Sequence, residues 1–129
     1  MYEINIKQPK VGIIFLDSYE PTLDVFVWTY SNGSFVEWEE IRHVSLDRKD
    51  GSITKQFSGV AEAQLLSGNE IFWIVNGDFF DNGSTSISYT SGASAKIGEV
   101  WTVSYSVTSS STSNHFAYHN ENGGIYLHE

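Results

Sequence analysis

Apolar and polar residues alternate with a period of two along most of the chain, which is the pattern of half-buried β-strands. The clearest example is EVWTVSYSVT (99–108), where large apolar residues occupy every second position and serine or threonine lies between them. The opening YEINIK alternates in the same way, while VGIIFLD (11–17) and EIFWIV (70–75) are apolar runs typical of more deeply buried strands. The pattern predicts a chain built almost entirely of strands.

Short turn signals separate these segments. Asn32-Gly33 and Asp50-Gly51 each follow a strand-like run, and both residue pairs accept the positive φ angles of tight hairpin turns. We therefore expect a hairpin at each position. Near the end of the chain, HFAYH and GIYLH indicate two short strands around a turn at Asn120–Gly124.

One segment has two interpretations. GVAEAQLLS (59–67) has the alanine and leucine content of a helix, with Ser58 as a possible N-cap and Gly68 as a stop signal, yet it is short enough to be a strand. We expect a single all-β domain over residues 1–129. It should be an antiparallel β-sandwich or barrel with at most one short helix, around residues 59–67.

The composition supports a packed domain with an acidic surface. The chain has 129 residues, of which 40% are hydrophobic and 15% aromatic, and it has no cysteine for disulfides or thiolate chemistry. Its formal net charge is −9, which argues against nucleic acid and against electrostatic attachment to anionic lipid. Cations, basic proteins and neutral glycans are left as partner classes.

The chain shows no apolar stretch long enough for a transmembrane segment and no signal-peptide pattern at its start. We expect a protein that is cytoplasmic as synthesised, with release without a signal peptide as the open alternative.

The segment NGDFFDNGSTSIS (76–88) concentrates oxygen-bearing side chains. Ca²⁺ takes roughly six to eight oxygen ligands, and the candidate metal ligands here are Asp78, Asp81, Asn82, Ser84 and Ser86. The piece DNGSTS (81–86) resembles the short Ca²⁺-binding signature of βγ-crystallin domains, and this six-residue resemblance implies a calcium site. The interpretation that we prefer is a turn, because polar clusters with Asn-Gly pairs between strands are usually turns.

The segment DVFVWTY (24–30) places its aromatic residues on one face of a strand and two valines on the other. We expect both faces to be buried, because large side chains usually belong to the core. The alternative exposes Trp28 and Tyr30 as a platform for sugar rings or for a lipid interface. Trp38, in the run FVEWEE, has polar neighbours of the same kind.

The segment NHFAYHN (114–120) mixes amides, imidazoles and an aromatic ring. Amide and imidazole groups hydrogen-bond sugar hydroxyls, and aromatic rings stack on the C–H faces of sugars. With the aromatic residues above, the candidate ligand-binding residues are Trp28, Tyr30, Trp38, Asn114, His115, Tyr118, His119 and Asn120.

The sequence carries no catalytic signature. Its serines lack the context of a nucleophile elbow, and there is no phosphate-binding glycine loop. Glu37, Glu39 and Glu40 fit the charged outer face of an edge strand better than a pair of catalytic carboxylates. We therefore predict that the protein is not an enzyme.

These observations favour a non-enzymatic, lectin-like binding module for a glycan or cell-surface ligand, with Ca²⁺ as an optional aid. In composition and expected fold, the chain resembles soluble lectins and membrane-targeting cytolysins of bacteria and fungi. One alternative is a membrane-binding or pore-forming toxin component that uses the alternating run 101–113. Another is an acidic inhibitor or immunity-type module that binds a basic protein through Glu37–Glu40. Exposed strand edges are compatible with a homo-oligomer.

Overall fold

The computed structural model describes residues 2–8, 19–89, 94–108 and 115–128, and the regular secondary structure in these ranges is β-strand. The strands are β1 (Tyr2–Lys7), β2 (Thr22–Asn32), β3 (Phe35–Asp47), β4 (Lys49–Asp50), β5 (Ile53–Thr54), β6 (Gln56–Ser67), β7 (Glu70–Phe80), β8 (Ser84–Tyr89), β9 (Val100–Thr108) and β10 (His115–Tyr126). The prediction of an all-β protein is confirmed. The apolar run 11–17 lies outside the described residues. Within the described ranges, no helix has the length and apolarity that a membrane span requires.

The strands form two main antiparallel sheets that pack in a sandwich-like arrangement. The first sheet has the order β1-β2-β3, and the second has the order β10-β7-β6-β9-β8. β4 and β5 form a separate two-stranded ribbon. The predicted antiparallel sandwich is thus confirmed, and the described strands do not close into a barrel.

The two predicted hairpins are present. β2 pairs with β3 up to Asn32 and Phe35, and Gly33 in the turn has a φ of +65°. β4 pairs with β5 across a turn in which Gly51 has a φ of +61°. Glycine tolerates this left-handed backbone at little steric cost, so the sequence signal has a direct physical cause.

The core lies between the inner faces of the two main sheets. Its buried side chains come mainly from alternate positions of β2, β6, β7 and β9, as the period-two pattern predicts. The buried apolar residues are Tyr19, Leu23, Val25, Val27, Trp38, Ile41, Val44, Leu46, Phe57, Ala61, Ala63, Leu65, Ile71, Trp73, Val75, Phe79, Ala95, Trp101, Val103 and Tyr105.

β3 departs from strict alternation because its pairing with β2 contains two bulges. Phe26 and Val27 pair with His43 and Ile41, so Arg42 is an extra residue in β3. Trp28 and Thr29 pair with Glu40 and Trp38, so Glu39 is a second extra residue. Each extra residue reverses the facing of the positions beyond it. The bulges therefore turn Trp38, Ile41 and Val44, spaced three apart, toward the core.

The possible helix at 59–67 is not formed, because this segment is part of β6. Ala61, Ala63 and Leu65 are fully buried and alternate with partly exposed residues, which is the burial pattern of a strand. β6 pairs with β7 on one side and with β9 on the other. Tertiary pairing therefore overrides the helix propensity of alanine and leucine.

The predicted turn at Asn120–Gly124 is also wrong, because β10 continues through it and pairs with β7 along its length. Gly123 lies against Trp73, and a Cβ at this position would be only 3.0 Å from the indole ring. Glycine here allows close approach of a buried aromatic side chain rather than a reversal of the chain.

Candidate functional site

The structure leaves the outer face of β2 open to solvent. Val25 and Val27 are fully buried, whereas Trp28 and Tyr30 on the opposite face are 44% and 48% exposed. The expectation that both faces are buried is therefore wrong. β2 is the central strand of its sheet, but the second sheet covers only its inner face.

Trp28 lies beside charged groups that come from the bulged part of β3. The guanidinium carbon of Arg42 is 5.9 Å from the centre of the Trp28 ring, within the range of a cation–π interaction. Arg42 also donates a hydrogen bond of 2.8 Å to Glu40, which is paired with Trp28 in the sheet. This bond is the main cause that lowers the pKa of Glu40.

Two of the predicted ligand-binding residues belong to the core instead. Trp38 is only 2% exposed, because the bulges of β3 turn it inward. His119 is 6% exposed on the inner face of β10, and its Nε2 lies 3.1 Å from Oε1 of the buried Gln8. Neither side chain is available to a ligand on the surface. Asn114 lies outside the described residues.

His115, Tyr118 and Asn120 are exposed on β10, and they meet Asn76 and Asp78 of the neighbouring β7. The Tyr118 hydroxyl donates a hydrogen bond of 2.6 Å to Oδ1 of Asn76, and the residue remains 60% exposed. His115 Nε2 lies 2.9 Å from Oδ1 of Asp78. We call these five residues the β7–β10 cluster. It unites residues from two segments that the sequence singled out separately.

The β7–β10 cluster is held by two hydrogen-bonded strands rather than by loops. Its positions are therefore fixed before any ligand arrives, which reduces the entropy lost on binding. The exposed ring can stack on an apolar ligand face, while the amides, imidazole and carboxylate can exchange hydrogen bonds with hydroxyls. This chemistry suits recognition of a polyhydroxylated ligand.

The segment 76–88 forms the end of β7, a turn over residues 81–83, and β8. The preferred interpretation as a turn is confirmed only for the short stretch around Asn82, where Gly83 has a φ of +113°. It is wrong for Asn76-Gly77, because both residues lie within β7 and pair with β6 and β10. Asp81 bonds Lys55 at 2.6 Å, whereas Asp78 contacts His115.

The other two proposed metal ligands, Ser84 and Ser86, pair with β9 at the far edge of the second sheet. The described residues contain no group of three or more His, Cys, Asp or Glu side chains placed to hold a metal ion. The calcium site stays a prediction from the sequence.

Sequence reasoning missed a second exposed tyrosine on the same face of β10. Tyr126 is 54% exposed, and its hydroxyl donates a hydrogen bond of 2.9 Å to Glu70, which raises the pKa of Tyr126. Tyr118 and Tyr126 lie an even number of positions apart, so uninterrupted alternation places them on one face of a strand. The expected turn at 120–124 hid this relationship.

Comparison with protein-family models, curated proteins and solved structures finds no match to this chain.

Proposed function

We propose that this protein is a non-enzymatic glycan-binding module and that the β7–β10 cluster is its binding surface. The observation that supports this most directly is the exposed ring of Tyr118, whose orientation is fixed by the hydrogen bond to Asn76. An ordered aromatic ring surrounded by amide, imidazole and carboxylate groups matches the mixed apolar and hydroxyl-bearing surface of a sugar.

Charge favours neutral sugars over acidic ones. The protein carries a formal net charge of −9, which disfavours the approach of anionic glycans. Within the β7–β10 cluster, the carboxylate of Asp78 already has His115 as a partner. A neutral ligand is therefore not repelled by the acidic surface of the protein.

The experiment is a binding measurement on immobilised neutral polysaccharides, with Tyr118→Ala and Tyr118→Phe as a matched pair. We expect the alanine variant to bind at least about tenfold more weakly, because truncating a central hot-spot aromatic residue costs about 2 kcal/mol or more and tenfold corresponds to about 1.4 kcal/mol. The phenylalanine variant keeps the stacking ring and should lose less. Equal binding by wild type and both variants, with all three folded, would place the binding surface elsewhere.

The control for position is Trp28→Ala, on the outer face of the other sheet. Trp28 and Tyr30 are an alternative binding surface for the same ligand, and binding lost only in Trp28→Ala would move the site to β2.

Exposed tryptophan and tyrosine also favour a second candidate function, association with a lipid interface. Dye release from zwitterionic liposomes by wild type but not by Trp28→Ala would support that second function.

A further inference from the structure

The outward side of β10 carries one uninterrupted row of exposed residues. Alternate positions on this face are Tyr118, Asn120, Asn122, Gly124 and Tyr126, and all five are exposed. None of them is charged, although the chain as a whole is strongly acidic. We call this set the tyrosine row.

The two ends of the tyrosine row are built in the same way. Each tyrosine is more than half exposed, and each hydroxyl donates to a side chain of β7, Asn76 at one end and Glu70 at the other. Both rings are thus oriented by hydrogen bonds to a neighbouring strand. They lie eight positions apart, or about 27 Å at roughly 3.4 Å per residue.

The middle of the row provides amide side chains beside half-buried apolar residues of β7. Asn120 and Asn122 are exposed, and the strand positions beside Asn122 and Gly124 are Ile74 and Phe72 of β7. Gly124 adds no side chain, and ring carbon Cε2 of Tyr126 is 3.6 Å from the position a Cβ would take there. The surface therefore continues from one tyrosine to the other without a bulky side chain from the row between them.

We propose that the tyrosine row binds an internal stretch of a linear, neutral polysaccharide that lies along β10. This inference rests on the proposed glycan-binding function and specifies its ligand as an extended chain rather than a terminal sugar. The two rings stack on sugar units near the ends of the bound stretch, and the amides of Asn120 and Asn122 bond hydroxyls between them. A chain that reaches both rings gains from the second contact without a second loss of translational freedom.

Charge and geometry favour this occupant over a protein. A second copy of the chain would bring another formal charge of −9 to a face whose border includes Glu70 and Asp78. A peptide strand added to the edge of β10 would bind through backbone groups, and outward tyrosines would contribute little. A neutral glycan uses the rings and the amides together.

The test is affinity as a function of ligand length. Linear glucan, mannan and xylan oligosaccharides of two to about ten units are titrated into wild type, Tyr118→Ala and Tyr126→Ala. We expect wild-type affinity for one of these series to rise at least about tenfold once the oligosaccharide spans both rings. Tyr126→Ala should remove that rise but change the affinity for the shortest binding member less than twofold, because short ligands use the richer Tyr118 end.

Two variants check that the effect comes from the row itself. Tyr126→Phe keeps the ring and should retain most of the dependence on length. Gly124→Gln places a side chain between the two rings without a close backbone contact. It should weaken the binding of oligosaccharides that span both rings and leave the binding of shorter ones unchanged. Thermal unfolding of each variant establishes that it is folded.

Other outcomes would overturn the inference. If affinity is independent of length and Tyr126→Ala matches wild type, the ligand is short, and glycan binding at Tyr118 survives. If neither oligosaccharides nor the parent polysaccharides bind, the proposed function fails together with this inference. If sedimentation shows dimers that Tyr126→Ala dissociates, the occupant is a second copy of the chain.

Discussion

The hydroxyl oxygen of Tyr105 accepts a hydrogen bond of 2.8 Å from the backbone N–H of Leu46. Tyr105 belongs to β9 of the second sheet and Leu46 to β3 of the first, so this bond joins the two layers directly. Both residues are 5% exposed. Burial is also the main cause that raises the pKa of Tyr105. A polar contact is therefore built into the mainly apolar interface of the sandwich.

We expect Tyr105→Phe to destabilise the protein by about 1–3 kcal/mol, because it leaves the buried N–H of Leu46 without an acceptor. The measurement is urea unfolding at neutral pH. Tyr30→Phe is the control, since that hydroxyl lies on the exposed face of β2 and its loss should change the free energy of unfolding by less than about 0.5 kcal/mol. Similar values for the two variants would contradict a stabilising role for the Leu46 contact.

The fold was predictable wherever alternation is strict. In β9, Trp101, Val103 and Tyr105 alternate with polar residues, and all three are buried as expected. In β3, the pattern fails because Glu39 and Arg42 are bulge residues, and a bulge depends on the pairing partner rather than on local sequence. The polar neighbours of Trp38 therefore favour a ligand-binding position on the surface, whereas the bulges place this residue in the core.

The structural roles of the glycines and of the aromatic residues are ambiguous in the sequence for a different reason. A glycine indicates a turn or a close approach, and only the position of Trp73 shows that Gly123 serves the second purpose. An aromatic row is core or surface depending on whether another layer covers it, as Trp28 shows. The hydrogen bond between the side chains of Tyr118 and Asn76, 42 positions apart, likewise depends on the order of the strands in the sheet.

Gly77 and Gly59 face each other across β6 and β7, under the ring of Phe57. A Cβ at Gly77 would lie 2.7 Å from both Phe57 Cζ and Gly59 Cα, which is too close for either to remain in place. We expect Gly77→Ala to cost about 1–3 kcal/mol through overpacking. Gly124→Ala is the matched control on β10, the other neighbour of β7, where the nearest contact of the new Cβ would be 3.6 Å. Equal stability of the two variants in urea would show that β6 and β7 can separate freely.

His119 makes stability depend on pH. Burial lowers its pKa below the ordinary value of 6.5, against a smaller opposing effect of Glu121. The unfolded chain therefore takes up a proton before the folded protein does, so this residue reduces stability as the pH falls through about 6.5. We expect His119→Gln to lose less stability than wild type between about pH 7 and pH 5, as measured by urea unfolding. A parallel decline in both proteins would assign the pH dependence to other groups.

Asp81 distinguishes a turn from a calcium site. Its carboxylate is bonded to Lys55 at 2.6 Å, Asp78 is engaged with His115, and Ser84 and Ser86 lie on a different strand from Asp78. We therefore expect millimolar Ca²⁺, compared with EDTA, to leave the thermal unfolding of wild type unchanged. Asp81→Asn should lose less than about 1 kcal/mol, because the ion pair is partly exposed and screened by salt. If the site binds Ca²⁺, a free Ca²⁺ concentration of about 100 times the Kd would instead add about 2.7 kcal/mol to the free energy of unfolding and raise the Tm by several degrees. A rise of that size in wild type, absent in Asp81→Asn, would establish the calcium site that the sequence suggests.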